Sequence, residues 1–474
     1  MTSNHISIDL GASSGRVILG ALTDGVLTVS EAHRFQHHMI ECRGVKRWDW
    51  AWILREVRRG LSRACAQAGD RHIAGVSCSA WAQDFGLLNA QGELFYPPVS
   101  YRDDRTKGLP ERFNAVIAPC DLHRRDGSLV HPMTTLCQLR AMAEHEPEAL
   151  CRARDLLWIA DLVHWDLCGA AATDWSLATA SQVRHVASGT WDTDLLARLD
   201  IPASILPPIL PQPQVIGTIP AGSAPDSHLV GVPVISSAGH DTAAASAVLA
   251  PLEPGTLMLS LGTWAMLGAC TGKFQVPDKD QVAVLGLPFG QWGCFHGGMG
   301  LWLLQECRRA WRESGANQDI SELVVSAARS SVESVIPVND PRFFAPDNMP
   351  AEIAGFCAAT RQAVPEHPGD FARVIFDSLA AAFADSIDQL RELTGLSFER
   401  LRIVGGGCRN EYLCRRTAQG ACLPVVCGPV EATAAGNLLL QAVALGLLEP
   451  VVIPEVMAVS FPLVEYAPPA RSPR

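Results

Sequence analysis

Residues 9–16 read Asp-Leu-Gly-Ala-Ser-Ser-Gly-Arg. Small residues in succession let several backbone N–H groups point into one concavity, an arrangement that suits a phosphate. Ser13 and Ser14 add hydroxyl donors, and Arg16 adds a fixed positive fork. Asp9, at the end of a strand, has the chemistry to hold Mg²⁺ through water. The same residues would also make an ordinary Gly/Ser hairpin with Asp9 as a turn residue. Gly11-x-Ser13-x-Gly15 matches the pattern of an esterase nucleophile, which needs a helix after the serine. An apolar, β-branched run follows instead, so hydrolysis at Ser13 is set aside.

Gly239-His240-Asp241-Thr242 stands where a strand gives way to a helix. A carboxylate there is stabilised as the anion and is exposed enough to take a proton from a substrate hydroxyl. The plain alternative is a helix-capping aspartate. No second His/Asp set of matching spacing points to a metal phosphohydrolase. Trp81-Ala82-Gln83-Asp84-Phe85-Gly86 follows another strand. Gln83 and Asp84 carry groups that bond sugar hydroxyls, and Trp81 offers a face on which a sugar stacks. The alternative is a turn with a buried tryptophan. Gly405-x-Gly407-x-x-Asn410 misses the dinucleotide fingerprint at its last glycine, yet lies between a strand and a helix, where a nucleotide can approach the backbone. The one Gly-Lys pair, Gly272-Lys273, is followed by Phe274, so there is no P-loop.

The elements that must position these residues are legible in part. Strands are predicted at 6–10 and 17–22, then a hairpin at Thr23-Asp24-Gly25 into a third strand. A helix is predicted over 50–68, from Trp52, Ile53, Val57, Leu61 and Cys65. A buried strand follows at 73–79, helical sequence at 141–168, and irregular chain at 201–226. The strand 232–236 leads into a helix at 242–249. After Pro251 and Pro254 the pattern restarts. Residues 259–264 (Leu-Ser-Leu-Gly-Thr-Trp) repeat the character of 8–13 (Ile-Asp-Leu-Gly-Ala-Ser), 251 positions on. Two halves that open alike suggest a duplicated domain with a cleft between them. The boundary falls near 246–256, giving domains 1–246 and 247–474. Strands at 401–404 and 423–427, each followed by a helix, imply an α/β sheet with ligands at strand ends.

Composition narrows the classes. The 474 residues suffice for two or three domains. Lys and Arg number 38 against 49 Asp and Glu, a net charge of −11, which excludes the basic footprint of a nucleic-acid or anionic-membrane partner. Fifteen cysteines occur with no C-x-x-C pair, so reduced and mostly buried thiols in a cytoplasmic protein are expected. The apolar stretch 432–448 contains Thr433, Asn437 and Gln441 and is short of a membrane span, so a buried helix is expected.

Taken together, these segments resemble the FGGY-type carbohydrate kinases of the actin and sugar-kinase superfamily. The likeness runs through DLGASSGR (9–16), WAQDFGLL (81–88), YRDDRT (101–106), GHDTA (239–243), LGTW (261–264) and GLWLLQ (300–305). It continues through VNDPRF (338–343), IFDSLA (375–380), VGGGCRN (404–410) and GPVEATAAGN (428–437), in the expected order over nearly the whole chain. The resemblance implies two ribonuclease-H-like domains closing over a cleft, with sugar mainly on 1–246 and ATP mainly on 247–474. It makes Asp241 the general base toward the C1 hydroxyl of a ketose, L-rhamnulose first among them. It gives Mg²⁺ to Asp9 with Asp241. It assigns phosphate binding to Ala12, Ser13, Ser14, Gly15, Arg16 and Thr263. It puts Gly405 and Gly406 beside the adenosine and Gln305 at the ATP near the sugar's approach. Ala82, Gln83, Asp84, His240, Thr242 and Gly297 would line the sugar. The partners implied are the sugar and ATP, in a monomer or homodimer.

Three residues depart from the pattern of the nearest branch. Ala82-Gln83 stands where Gly-Val is usual, and Gly297 stands where an Asn is usual. A pocket that bonds a hydroxyl discriminates by factors on the order of 10⁴. L-Fuculose or another ketose or polyol is therefore the alternative substrate, and a non-catalytic sugar- and nucleotide-binding regulator is the alternative of another class.

Overall fold

The computed structural model describes residues 2–113, 115–128, 130–210, 213–250, 255–271, 282–344 and 346–468. Residues 251–254, at the expected boundary, and the Gly272-Lys273 pair lie outside them. The chain forms two compact units. The first comprises Met1–Leu252, Thr271–Gly293 and Ala432–Ser460; the second comprises Glu253–Cys270, Cys294–Glu431 and Phe461–Arg474.

The first unit is built on a six-stranded sheet. The opening meander is the one read from the sequence: β1 (Thr2–Leu10), β2 (Ser14–Thr23) and β3 (Val26–Gln36) pair antiparallel in succession. Asp24 and Gly25 turn the second hairpin with φ of 47° and 81°, the left-handed pair that a two-residue loop requires. On the other side of β1 the strand Ile73–Ala80 runs parallel to it, followed by Pro233–Ser236, also parallel, and Gln214–Thr218 at the edge. The helix α1 (Trp50–Ala68) has the predicted bounds, capped by the Asp49 side chain. It buries Ile53, Val57, Leu61 and Cys65, while Trp52 stays half-exposed and donates its indole N–H to Gln36 O instead.

Two expectations fail locally. The stretch 141–168 is interrupted by a strand, Asp155–Trp158, which pairs with Phe85–Leu88; its apolar residues carry no period that separates strand from helix. The stretch 201–226 is not wholly irregular, because Gln214–Thr218 pairs antiparallel with Pro233–Ser236.

The second unit repeats the plan. Thr256–Leu261 pairs antiparallel with Trp264–Cys270 and parallel with Arg400–Val404, which is parallel to Val425–Cys427; Val464–Tyr466 closes that edge antiparallel. The sequence repeat is thus a structural one: a hairpin whose first strand also takes a parallel partner from far along the chain.

Two segments that follow position 247 in sequence belong to the first unit. Gly286 N–H donates to Thr179 Oγ1 at 2.9 Å and Val284 N–H to Ser128 Oγ at 3.0 Å. The helix Ala432–Ala444 is buried, as expected of its apolar sequence. Its two internal amides are both used. Asn437 Nδ2 lies 3.3, 2.8 and 3.0 Å from the hydroxyls of Ser77, Ser79 and Ser237, and Gln441 Nε2 donates to Ile6 O at 3.0 Å. Gly436 passes so close to Ala244 O that a Cβ would collide with it. Among the described residues no helix is long and apolar enough to cross a membrane.

Asn437→Ala removes the buried amide donor shared by the hydroxyls of Ser77, Ser79 and Ser237. The expected cost is about 1–3 kcal/mol, seen as a lower thermal unfolding midpoint by calorimetry. An unchanged midpoint would contradict the weight given to this contact.

Candidate active site

In the first unit, three parallel neighbours end at one edge of the sheet. Trp81 N–H donates to Leu10 O at 3.0 Å, and Ala80 N–H donates to Gly239 O at 2.7 Å. These bonds gather 9–16, 81–84 and 239–242, where open α/β sheets bind ligands.

The first loop is short. Leu10 still pairs with Gly15, and Gly11 N–H closes the turn on Ser14 O at 3.0 Å. Among the described residues the amides of Ala12 and Ser13 meet no acceptor, which leaves two donors for an anion. Ser13 is exposed, Ala12, Ser14 and Arg16 are half-buried, and Gly15 lies flush against the Phe35 ring, where a Cβ would collide. Asp9 is 2% exposed and pairs with the Arg16 guanidinium. After Ser13 the chain enters β2 and not a helix, which removes the esterase geometry. No group of three or more His, Cys, Asp or Glu among the described residues is arranged to hold a metal. A single carboxylate does fit the manner in which Mg²⁺ is held by a nucleotide's phosphates, water and one or two carboxylates.

The second loop differs from expectation. Asp84 is 0% exposed. The indole N–H groups of Trp48 and Trp81 donate to its Oδ2 at 2.6 and 2.9 Å, and Gln138 Nε2 donates to its Oδ1 at 2.8 Å. Both oxygens are used, so Asp84 holds the wall and has no surface to offer a sugar. Burial pushes its carboxyl up to about 6, against the pull of those donors. Gln83 is likewise engaged: its Oε1 accepts Thr135 N–H at 3.2 Å and its Nε2 donates to Ala180 O at 3.3 Å. Ala82 is buried.

The third loop carries Asp241 as the first residue of the short helix Asp241–Ser246. Its Oδ1 accepts the N–H of Thr242 at 2.6 Å and lies 2.9 Å from His240 Nδ1. Among the described residues Oδ2 has no partner, and the side chain is 30% exposed. Thr242 is buried. A carboxylate held by one oxygen with the other open can accept a proton.

In the second unit, the turn Gly262–Thr263 is gripped from outside. Gly262 O accepts Leu301 N–H at 2.8 Å, and Thr263 O accepts Gly300 N–H at 3.0 Å. A Cβ on Gly300 would stand 2.6 Å from Gly262 O, so only glycine allows this approach. Thr263 Oγ1 donates to Gln305 Oε1 at 3.2 Å. Gly405, at φ 88°, turns the chain out of the strand Arg400–Val404 beside Leu261 O, and Gly406 faces open space. Gly297 is exposed in the strand Trp292–Met299, near Met266 Sδ.

Residues not singled out from sequence as functional matter here. Trp48 and Gln138 hold Asp84, and Arg105 Nη2 donates to Gln138 Oε1 at 2.8 Å. YRDDRT contained Arg105, but nothing local to that string points to the contact.

The family model for the FGGY family of carbohydrate kinases, N-terminal domain, matches residues 5–247, and that for the C-terminal domain matches 257–445. A rhamnulokinase of Klebsiella pneumoniae is 35% identical over 459 residues, covering 94% of this chain and 90% of that one. A rhamnulokinase of Bacteroides thetaiotaomicron is 32% identical over 476 residues, covering 99% and 96%. Among solved structures, a ligand-bound xylulose kinase from Lactobacillus acidophilus superposes with a TM-score of 0.80 at 17% identity, covering 98% and 94%. Plasmodium falciparum glycerol kinase with ADP gives 0.80 at 14%, with the same coverage. The duplicated α/β fold is that of a two-domain sugar kinase. The chain belongs to the FGGY family of carbohydrate kinases.

One consequence of the Asp84 cage is a pH dependence. A carboxyl raised from about 3.9 in the unfolded chain to about 6 when folded favours folding most below the lower value. Its contribution is lost as pH rises through 6. Unfolding midpoints of the wild type and Asp84→Asn, compared from about pH 4 to pH 7, should shift progressively in favour of the Asn variant; a constant difference would contradict the raised value.

Proposed function

We propose that this chain transfers the γ-phosphoryl group of ATP to the C1 hydroxyl of a ketose, L-rhamnulose, giving the 1-phosphate and ADP. The observation that carries the reading is Asp241, anchored by one carboxylate oxygen and open at the other. The relatives named rhamnulokinase, at 32–35% identity over almost the whole chain, support the choice of sugar.

In this reading Asp241 Oδ2 accepts the hydroxyl proton as the sugar oxygen bonds to the γ-phosphorus and the bond from that phosphorus to the bridging oxygen of ADP breaks. The amides of Ala12 and Ser13 and the Arg16 guanidinium grip phosphate oxygens, and the Thr263 turn does the same on its own unit. Asp9 would hold Mg²⁺ together with the phosphates, and the ion would supply charge neutralisation. Gly406 leaves room at the backbone for adenosine, and Gly405 turns the chain into that position. His240 and Thr242 border the sugar on the first unit, and Ala82 and Gln83, the latter tied to Thr135 and Ala180, shape the wall there. All fifteen cysteines are free thiols, which suits a reducing cytoplasm.

Asp241→Asn should lower kcat by roughly 10²–10⁴-fold with ATP binding retained, measured by a coupled ADP assay and by calorimetric titration of ATP. A variant near wild-type activity would remove Asp241 from this role. The sugar is tested separately, over L-rhamnulose, L-fuculose, D-xylulose and glycerol. L-Rhamnulose should show the highest kcat/KM. Gly297 supplies no side-chain amide, and this favours L-fuculose or a polyol as the second reading; a higher value for one of those would replace the substrate and leave the chemistry standing.

A further inference from the structure

Asp174 is 1% exposed and opens the helix Trp175–Ala180. Its Oδ1 caps that helix, accepting Ser176 N–H at 2.7 Å and Leu177 N–H at 3.4 Å. Capping uses one oxygen. The other, Oδ2, accepts the N–H of Gly239 at 2.7 Å, 65 residues further along the chain. Ser176 extends the contact. Its hydroxyl donates to Asp174 Oδ1 at 2.5 Å, and its oxygen accepts the N–H of His240 at 3.0 Å. The two amides immediately before Asp241 therefore both end on this buried pair.

Gly239 is fixed from the opposite side as well, where its carbonyl accepts Ala80 N–H at 2.7 Å. A Cβ at 239 would collide with Asp174 Oδ2 and with the Leu177 side chain, so the bare glycine is what lets the carboxylate come this close. Burial raises the Asp174 carboxyl above the usual range, and the donors from Ser176, Gly239 and Leu177 draw it back toward the anion.

We infer that Asp174, acting with Ser176, is a positioning residue of the phosphoryl transfer: it sets where the Asp241 carboxylate stands by holding the two backbone groups that lead into it. The inference rests on the reading of Asp241 as proton acceptor. Asp174 touches neither sugar nor nucleotide in this scheme and works through Asp241 alone. Misplacement of a reacting group by about 1 Å costs on the order of 10²-fold in rate, which is the scale of effect open to such a residue.

The test is a double-mutant cycle on the full chain, with ATP and the sugar of highest kcat/KM in the acceptor series above. Asp174→Asn and Ser176→Ala are each made alone and together with Asp241→Asn. Asp174→Asn should lower kcat about 10–100-fold with KM for ATP unchanged, and Ser176→Ala should lower it less. In the Asp241→Asn background each should cost less than about twofold, because the group they position is already gone. Amide hydrogen exchange at Gly239 and His240 should quicken in both single variants. An equal fold-loss in both backgrounds, or unaltered exchange at those two amides, would overturn the positioning role. Full activity of Asp241→Asn alone would overturn the parent reading instead. Should Asp174→Asn fail to fold, Ser176→Ala decides: slower turnover with faster His240 exchange supports the inference, and no change in either rejects it.

Discussion

Two backbone hydrogen bonds govern the first unit's functional edge. Ala80 N–H on Gly239 O and Trp81 N–H on Leu10 O join the ends of three neighbouring strands just where each stops pairing as a strand. A parallel sheet presents its strand ends together but does not fix the loops that leave them. These bonds do so, and every polar group of interest then lies within a few residues of one. Asp9 comes just before Leu10, Asp84 three residues after Trp81, and Asp241 two residues after Gly239.

Three aspartates along this edge show how surroundings decide what a carboxylate does. Asp84 and Asp174 are enclosed, and each has both oxygens taken by donors. They fix indole rings, amides and one helix start. Asp241 has one oxygen tied and one open to solvent. The residue type is the same in all three; the number of donors aimed at it and its access to water separate structure from chemistry.

Much of this was legible in the sequence, and the limits have physical causes. The β1–β3 meander announced itself through Asp24-Gly25, since few other pairs accept two left-handed residues. The helix Trp50–Ala68 was legible through the period of its apolar residues. The repeat of Ile8–Ser13 at Leu259–Trp264 predicted two units of one plan. The strand Asp155–Trp158 was hidden because its three apolar residues, Leu156, Leu157 and Trp158, fit a helix and a strand alike. Asp84 was identified as a polar residue near the site, but its burial depends on Trp48 and Gln138, which are 36 and 54 residues away. Asp174 drew no attention in the sequence, because its bond to Gly239 spans 65 residues. Local pattern records what a residue does for its own element; it is silent on which distant backbone the residue also serves.

The helix Ala432–Ala444 has a bearing on how the chain is made. Its Asn437 and Gln441 supply donors to Ser77, Ser79, Ser237 and the Ile6 carbonyl, all laid down far earlier. On a ribosome the first unit therefore waits, with its central sheet lacking this cover, until the helix Ala432–Ala444 has emerged. Domain-by-domain maturation from the N-terminus, the usual order for a multidomain chain, is closed to this one. A nascent chain stalled before that helix would carry an unfinished first unit, a natural target for chaperones and for quality-control proteases.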